Sequence, residues 1–440
     1  MTADADTTPA VGGERQVPVP DPIARDYLLL GLRLDQHIPG LVDAFYGPAD
    51  VKALVDTEPL RSPAALAEDA DELRARAAAQ IEEPDRRDWL DAQLIALGTQ
   101  ARALAGERLP YLEHVTSCFA WTPVRRDDAV FEAAAAQLDD ILPGPAPLAD
   151  RLAAWDARFE IPRDRLESVI DWLIAVFRER STALFGVPPG EELRLGFVTG
   201  QPWTAYNWYE GGLRSRIDVN LDLPTRAADL VHTVAHETFP GHHLEHAWKE
   251  ANLVERGRRL EASMLLINAP ECLVSEGLGD IARSFVAPID ETPDLLVELY
   301  ERAALPVAAD RAAARDAAER STSMTAPRRR LAESRVNASL MRHAEGASHE
   351  EVLAYLEQVG RFASPVAAKR LEFIEHPLWQ TYVFVYHEGE TLLRAWLDAV
   401  EPDERAERFG RLLREQLTPR AISGELGVRP GQASAATAPP

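Results

Sequence analysis

Apolar residues recur at three- and four-residue spacing along nearly the whole of this 440-residue chain, as in 90–104 and 166–177. That period matches the turn of an α-helix, so the chain must solve its packing problem mostly by laying helix on helix. Ala, Leu, Arg and Glu dominate these stretches, and all four favour helix. Punctuation agrees: Ser348-His349-Glu350-Glu351 reads as a capping box whose helix Gly360 closes, and Ser364-Pro365 opens the next. One stretch breaks the period. Apolar and polar residues alternate in three runs, 193–199, 203–209 and 213–220, and Gly211-Gly212 is placed to turn the last two into a hairpin. A small antiparallel β-sheet is predicted over about 193–220, with Leu213, Ser215, Ile217 and Val219 on one face and Arg214, Arg216 and Asp218 on the other.

The fold class is therefore mostly α, and a chain of this length can bury one large core or two interlocked halves. The reading divides it into a tail at 1–21, a single unit at 22–426 made of a helical half (22–190) and a second half (191–426), and a tail at 427–440. Both tails lack the apolar content to pack. The net charge of −24 opposes nucleic acid and anionic membranes as partners. The Pro327-Arg328-Arg329-Arg330 run reads as a solvated helix start. No apolar run approaches the ~20 residues that span a bilayer, and no basic start precedes an apolar core at the N-terminus. Two cysteines, Cys118 and Cys272, build no disulfide framework and read as small buried hydrophobes; a cytoplasmic location is expected.

Chemistry concentrates at His236-Glu237-Thr238-Phe239-Pro240-Gly241-His242-His243. Pro224-Thr225 can cap a helix whose apolar stripe is Ala227, Leu230, Val231, Val234 and Ala235, with His236 and Glu237 in its last turns. In His-Glu-x-x-His, two histidines one helical turn apart bind zinc and the glutamate activates its water. Here a Pro-Gly pair delays the second histidine. Pro240 has no N–H and its ring opposes the carbonyl of His236, while Gly241 permits backbone that other residues avoid. On an unbroken helix His243 would share the face of His236 but lie ~10 Å along the axis. Two ligands at about 2.0–2.1 Å from one zinc cannot be that far apart. His242 would face away. A compressed turn must return one of the two, and spacing does not choose between them.

The residues also carry a resemblance. His236 to Leu244 resembles the signature of the domain-of-unknown-function 885 family, a group expected to be metallopeptidases. Asp43-Ala-Phe-Tyr-Gly-Pro48, the stretch from Gln201 to Gly212, Ser275-Glu276-Gly277 and Tyr386-His387-Glu388-Gly389 are similar to other family segments, over most of 22–400. That family resembles helical oligopeptidases of the neurolysin and thimet type, which implies a two-lobed fold with a channel holding zinc. In the family pattern the histidine directly after Pro-Gly recurs, which favours His242 as second ligand. Many members carry Gln at the place of Glu245. The third ligand is expected from a later helix at Glu276, against Glu271, Glu261 and Glu245. Asp280, one turn on, is placed to hold the outer N–H of a ligand histidine.

These readings predict a hydrolase with one Zn2+ on His236, His242 and Glu276, acting on short peptides, with Glu237 as general base. Tyr386 is the expected oxyanion donor and Tyr382 its understudy; Tyr206 and Tyr209 are weaker candidates. His232, His243, His246 and His387 are expected behind the ligands, in packing, or against substrate. An anchor for a free C-terminal carboxylate would come from Arg214, Arg216 or Arg394. An edge strand beside the metal could pair with an extended peptide. Two rival functions use the same residues: an amidase acting on a small non-peptide metabolite, and a metal-stabilised peptide-binding protein without turnover. Glu237 argues against the second, since a structural site needs no adjacent base.

Overall fold

A computed structural model describes residues 21–201 and 203–428. Among them, twenty α-helices carry most of the chain, and five short strands lie between helices. The strands are β1 (Val42–Phe45), β2 (Glu192–Val198), β3 (Ala205–Tyr209), β4 (Arg214–Asn220) and β5 (Met264–Leu266). The architecture is mostly α, as the spacing predicts.

The alternating stretch does form a sheet, but a mixed one, in the order β2-β4-β3. β3 runs antiparallel to β4, with Tyr209 opposite Ser215, through a turn in which Gly211 and Gly212 have φ of 73° and 64°. β2 runs parallel to β4, with Glu192 opposite Arg214. The expected all-antiparallel sheet is thus corrected, and β4 shows why. Its last four residues are buried on both faces, which suits the central position between two neighbours. A second, two-stranded sheet was not foreseen: β1 pairs with β5 across more than 200 residues of chain, Phe45 opposite Met264.

Two main cores hold the chain together. Helices Pro22–Asp35, Pro63–Gln80 and Pro84–Leu104 share one with the region of β5, around Tyr27, Trp89, Leu260 and Met264. Most helices from Tyr111 onward join the larger one, which includes Phe119, Phe177, Val231, Leu273 and Trp396, while Phe131, Leu138 and Leu331 belong to a small cluster of their own. The smaller core also takes in Leu253, Val254 and the stretch from Leu260 to Ala269, so the chain returns to it after contributing to the larger one. Helix Arg163–Phe185 packs its apolar face against helix Ala227–Glu237, which carries the first histidine. The expected tails lie outside the described residues but for their innermost positions. Asp21 caps the first helix by accepting from the Ala24 N–H at 2.7 Å, and Gly427 closes the last one with φ of 67°. No described helix is long and apolar enough to cross a membrane.

Two helices frame the candidate site. Pro270–Val286 carries Glu276, and Val385–Asp398 carries Tyr386. They touch backbone to backbone where Gly277 meets Gly389: a Cβ on Gly277 would fall 2.5 Å from the Gly389 carbonyl carbon. Only glycine fits there.

Candidate metal centre

All five residues of the predicted stripe on helix Ala227–Glu237 are buried, which fixes the helix and leaves His236 at its end. The chain then passes through a cis Phe239–Pro240 peptide, and a new helix begins at His242 and runs to Lys249. Gly241 has φ of −75°, so closeness rather than a left-handed backbone demands glycine. A Cβ there would lie 1.9 Å from the carbonyl oxygen of His236 and 2.5 Å from that of Ala235. The break keeps its hydrogen bonds by skipping: Gly241 N–H donates to Ala235 O at 3.1 Å and Leu244 N–H to Thr238 O at 3.2 Å.

This turn brings the rings of His236 and His242 edge to face, with centroids 4.6 Å apart. His243 goes the other way. It is fully buried, with Nδ1 2.8 Å from Ser215 Oγ on β4 and Nε2 2.9 Å from Glu191 Oε2. His243 therefore does not join the cluster; it ties the second histidine helix to the sheet.

Glu276 completes a triad whose ligand atoms lie within 4.8 Å of one another. His236 Nε2 is 3.4 Å from Glu276 Oε2, and His242 Nε2 is 3.9 Å from Glu276 Oε1. The outer nitrogens face other groups. His236 Nδ1 lies 3.2 Å from Asp280 Oδ1, and His242 Nδ1 lies 3.3 Å from Ser275 Oγ and 3.5 Å from Glu245 Oε2. Gly279 makes room for this, since a Cβ would fall 2.6 Å from the His236 ring. Glu276 Oε2 is buried and accepts no hydrogen bond, so a cation beside it would supply the missing partner. Two imidazole nitrogens and one carboxylate, each imidazole backed by a carboxylate, suit zinc.

The electrostatics point the same way. Burial opposes the charged form of His236, but Asp280 and Glu276 outweigh it and hold the pKa up. His242 is raised too: burial and His236 oppose its charge, and Glu245, Glu276 and Glu237 prevail. Conversely, burial resists ionisation of Glu276, yet the two histidines keep its pKa low. The cluster thus gathers Glu237, Glu245, Glu276 and Asp280 around two imidazoles and Lys249, an imbalance that a divalent cation would offset.

Glu245 has a part that the sequence left open. It is fully buried, accepts from Ser275 Oγ at 2.6 Å and from Lys249 Nζ at 2.8 Å, and backs His242. Lys249 also donates to Glu271 at 2.8 Å, and Gln93 of the smaller core reaches Glu271 at 3.4 Å. Glu271 and Glu261 are spoken for elsewhere, by Lys249 and Arg86 respectively, and are not ligands.

The tyrosines separate. Tyr382 Oη donates to Glu276 Oε1 at 2.7 Å. Tyr386 stands edge to face with it at 5.5 Å; burial raises both hydroxyls' pKa values. Tyr206 donates to Asp43 on β1, whose pKa burial pushes up to about 6 and whose charge reaches Glu276, His242 and Glu237. Tyr209 instead donates to Glu250 at 2.5 Å, away from the triad. Asp43 was missed as a single residue, because only the β1–β5 pairing brings it near.

The remaining histidines also take their places. His232 Nε2 lies 3.4 Å from Asp280 Oδ1 and shares that carboxylate with His236. His246 stacks on His242 with planes 4° apart, and burial pushes its pKa down to about 3. His387 lies beside Arg335. Glu237 is in electrostatic reach of His236 and His242 and bounds a cavity of about 350 Å3 lined by Ile170, Ile217, Val219, Leu230 and Val234. Its carbonyl accepts from Asn207 Nδ2 at 2.7 Å, which ties β3, an outer strand, to the end of the first histidine helix.

No family model matches this chain, and no curated protein matches it either. Two solved structures do. One is described as the "putative lipoprotein from Colwellia psychrerythraea", at 16% identity and a TM-score of 0.50, over 82% of this chain and 66% of that one. The chain thus spans just under two thirds of that protein's length, and the likeness is one of fold alone. The other is an M32 carboxypeptidase from Deinococcus radiodurans R1, at 13% identity and a TM-score of 0.41, over 93% of this chain and 94% of that one, an overlay too loose to carry more.

Proposed function

We propose that this chain is a zinc-dependent hydrolase of short peptides, with the ion on His236, His242 and Glu276. The observation that carries the reading is the convergence of three ligand atoms on one point, with an unengaged carboxylate oxygen in the triad and Glu237 beside it. The resemblance of the His-Glu-x-x-Pro-Gly-His segment to the 885 family supports peptide as the bond class.

Zinc bound there would polarise the scissile carbonyl and bring the pKa of its water near 7. The chain's own groups do the rest. Asp280 and Glu245 orient the two imidazoles, and Tyr382 keeps Glu276 from swinging away. Glu237 takes the proton from the attacking water and passes it to the leaving nitrogen. Tyr386 donates its O–H to the carbonyl oxygen as charge develops there, a contribution of ~3–4 kcal/mol for a well-placed donor. β3 offers main-chain groups to an extended peptide, and the cavity beside Glu237 suits an apolar side chain.

Glu237→Gln tests the reading. Bound zinc should stay near one equivalent by metal analysis, while turnover of a mixed short-peptide pool falls by roughly 10²–10⁴-fold. Full activity in the variant would refute the mechanism. A wild-type protein that leaves every peptide intact but hydrolyses a metabolite amide would move the same residues to the amidase reading.

A further inference from the structure

One turn from the candidate centre, donors gather without acceptors. His387 is 5% exposed, and its Nε2 lies 2.7 Å from Arg335 Nη2. A guanidinium only donates, so Nε2 accepts and the ring proton sits on Nδ1. That Nδ1 is buried and has no partner. Apart from His387, Arg335 donates only to Ala332 O, at 3.1 Å. Arg370, on helix Ser364–Glu375, packs over Phe362 at 4.4 Å, and its Nε is buried without an acceptor. Among the described residues neither arginine pairs with a carboxylate. Burial pulls the Arg370 pKa down to about 9, helped by the charge of Arg335. Burial lowers Arg335 as well, against the opposing charges of Tyr386 and Asp280, and its partner His387 directly follows Tyr386 on helix Val385–Asp398.

Elsewhere arginines find acceptors. In a groove of about 1000 Å3 on another part of the surface, Arg74, Arg411 and Arg420 pair with Asp91, Glu425 and Asp88, and Arg87, Arg259 and Arg414 donate to carbonyl or amide oxygens. Arg328, Arg329 and Arg330, expected as a solvated run, pair with Asp156, Glu390 and Glu333. With 71 acidic residues against 47 Lys and Arg, partners are plentiful. Here two guanidiniums without a carboxylate adjoin an imidazole N–H without an acceptor, and buried donors left unsatisfied cost stability.

We propose that Arg335, Arg370 and His387 form the subsite for the free C-terminal carboxylate of the peptide, so that cleavage occurs near that end. The proposal rests on the hydrolase reading and narrows its substrate class. Arg335 would take the carboxylate through Nη1–H, since its Nε donates to Ala332 O and its Nη2 to His387, and the Nδ1–H of His387 and the Nε–H of Arg370 would add donors. The anchors expected from sequence are engaged or distant in role: Arg216 pairs with Asp218, Arg394 with Glu390, and Arg214 stands exposed on β4.

The zinc-loaded protein is offered trialanine and trialanine amide, and kcat/KM is compared. The free acid should be preferred by roughly 10–100-fold per charged hydrogen bond made. Arg335→Gln and Arg370→Gln should each bring the ratio towards one, and Arg335→Lys should recover part of it. Equal rates on the two peptides, or a preference that survives both Gln variants, overturns the proposal. So does an amidated peptide with an internal glutamate that is cut as fast as the free acid. Calorimetry of both trialanines on Glu237→Gln, with and without Arg335→Gln, separates the two claims and controls for folding. If nothing is hydrolysed but the free acid binds selectively through Arg335, the subsite stands and the hydrolase reading falls. Hydrolysis without discrimination is the reverse.

Discussion

The histidine–carboxylate cluster and the arginine–histidine cluster are neighbours built in opposite senses. Around His236 and His242, acids outnumber cations: Glu237, Glu245, Glu276 and Asp280 face two imidazoles and Lys249. Around His387, donors outnumber acceptors, because Arg335, Arg370 and Nδ1–H meet no carboxylate. Asp280 is felt by both. Buried charge persists only where something offsets it. One region lacks a cation and the other an anion, so a metal and a carboxylate-bearing substrate would complete both. The contrast teaches that an uncompensated imbalance locates a ligand better than the mere presence of reactive residue types.

The sharpest way to break the comparison is to exchange the fates of two adjacent histidines. His242→Ala removes a ligand and should abolish both zinc retention and turnover. His243→Ala should keep about one equivalent of zinc but lose ~1–3 kcal/mol of stability, because Glu191 and Ser215 are left with a missing buried partner. Metal analysis and urea unfolding read both. Zinc lost from His243→Ala and kept by His242→Ala would mean that the cation-poor region has been drawn around the wrong residue.

A smaller effect probes how the acid side is balanced. Lys249 is 4% exposed and lies between Glu245 and Glu271. Lys249→Met removes the cation between two buried carboxylates and should cost about 3–5 kcal/mol by chemical denaturation. A loss below about 1 kcal/mol would show that solvent, not the lysine, balances them.

Much of this was legible in the residues, and the rest was not for identifiable reasons. The stripe from Ala227 to Ala235 fixed where the first histidine helix lies, and the Pro-Gly pair required a break. The choice of His242 came only from the family pattern. What turns His243 away is Glu191 and Ser215, 52 and 28 residues distant, and no local spacing contains them. Glu245 was more readable than it was made: His242, Glu245 and Lys249 follow one another at three and four residues, a single helical face. Strand order was hidden because β4 enters between β2 and β3, which are neighbours in sequence but not in the sheet. Asp43 depends on the β1–β5 pairing. The arginine subsite is assembled from three helices, while the conspicuous arginine run nearby is neutralised.

The finest test compares the two carboxylates behind the ligands. Replacing such a partner typically lowers metal affinity by about 10–100-fold. Asp280→Asn should fall at the larger end, since Asp280 faces both His236 and His232 and also offsets the charge of Arg335. Glu245→Gln should stay nearer tenfold. Its amide oxygen can still accept from the Nδ1–H of His242. Competition with a chromophoric chelator measures both. If Glu245→Gln weakened zinc binding more than Asp280→Asn, the Glu245–Lys249–Glu271 chain would be the main support of the centre. Asp280 would then belong chiefly to the arginine side, as the charge that keeps that cluster folded until a carboxylate arrives.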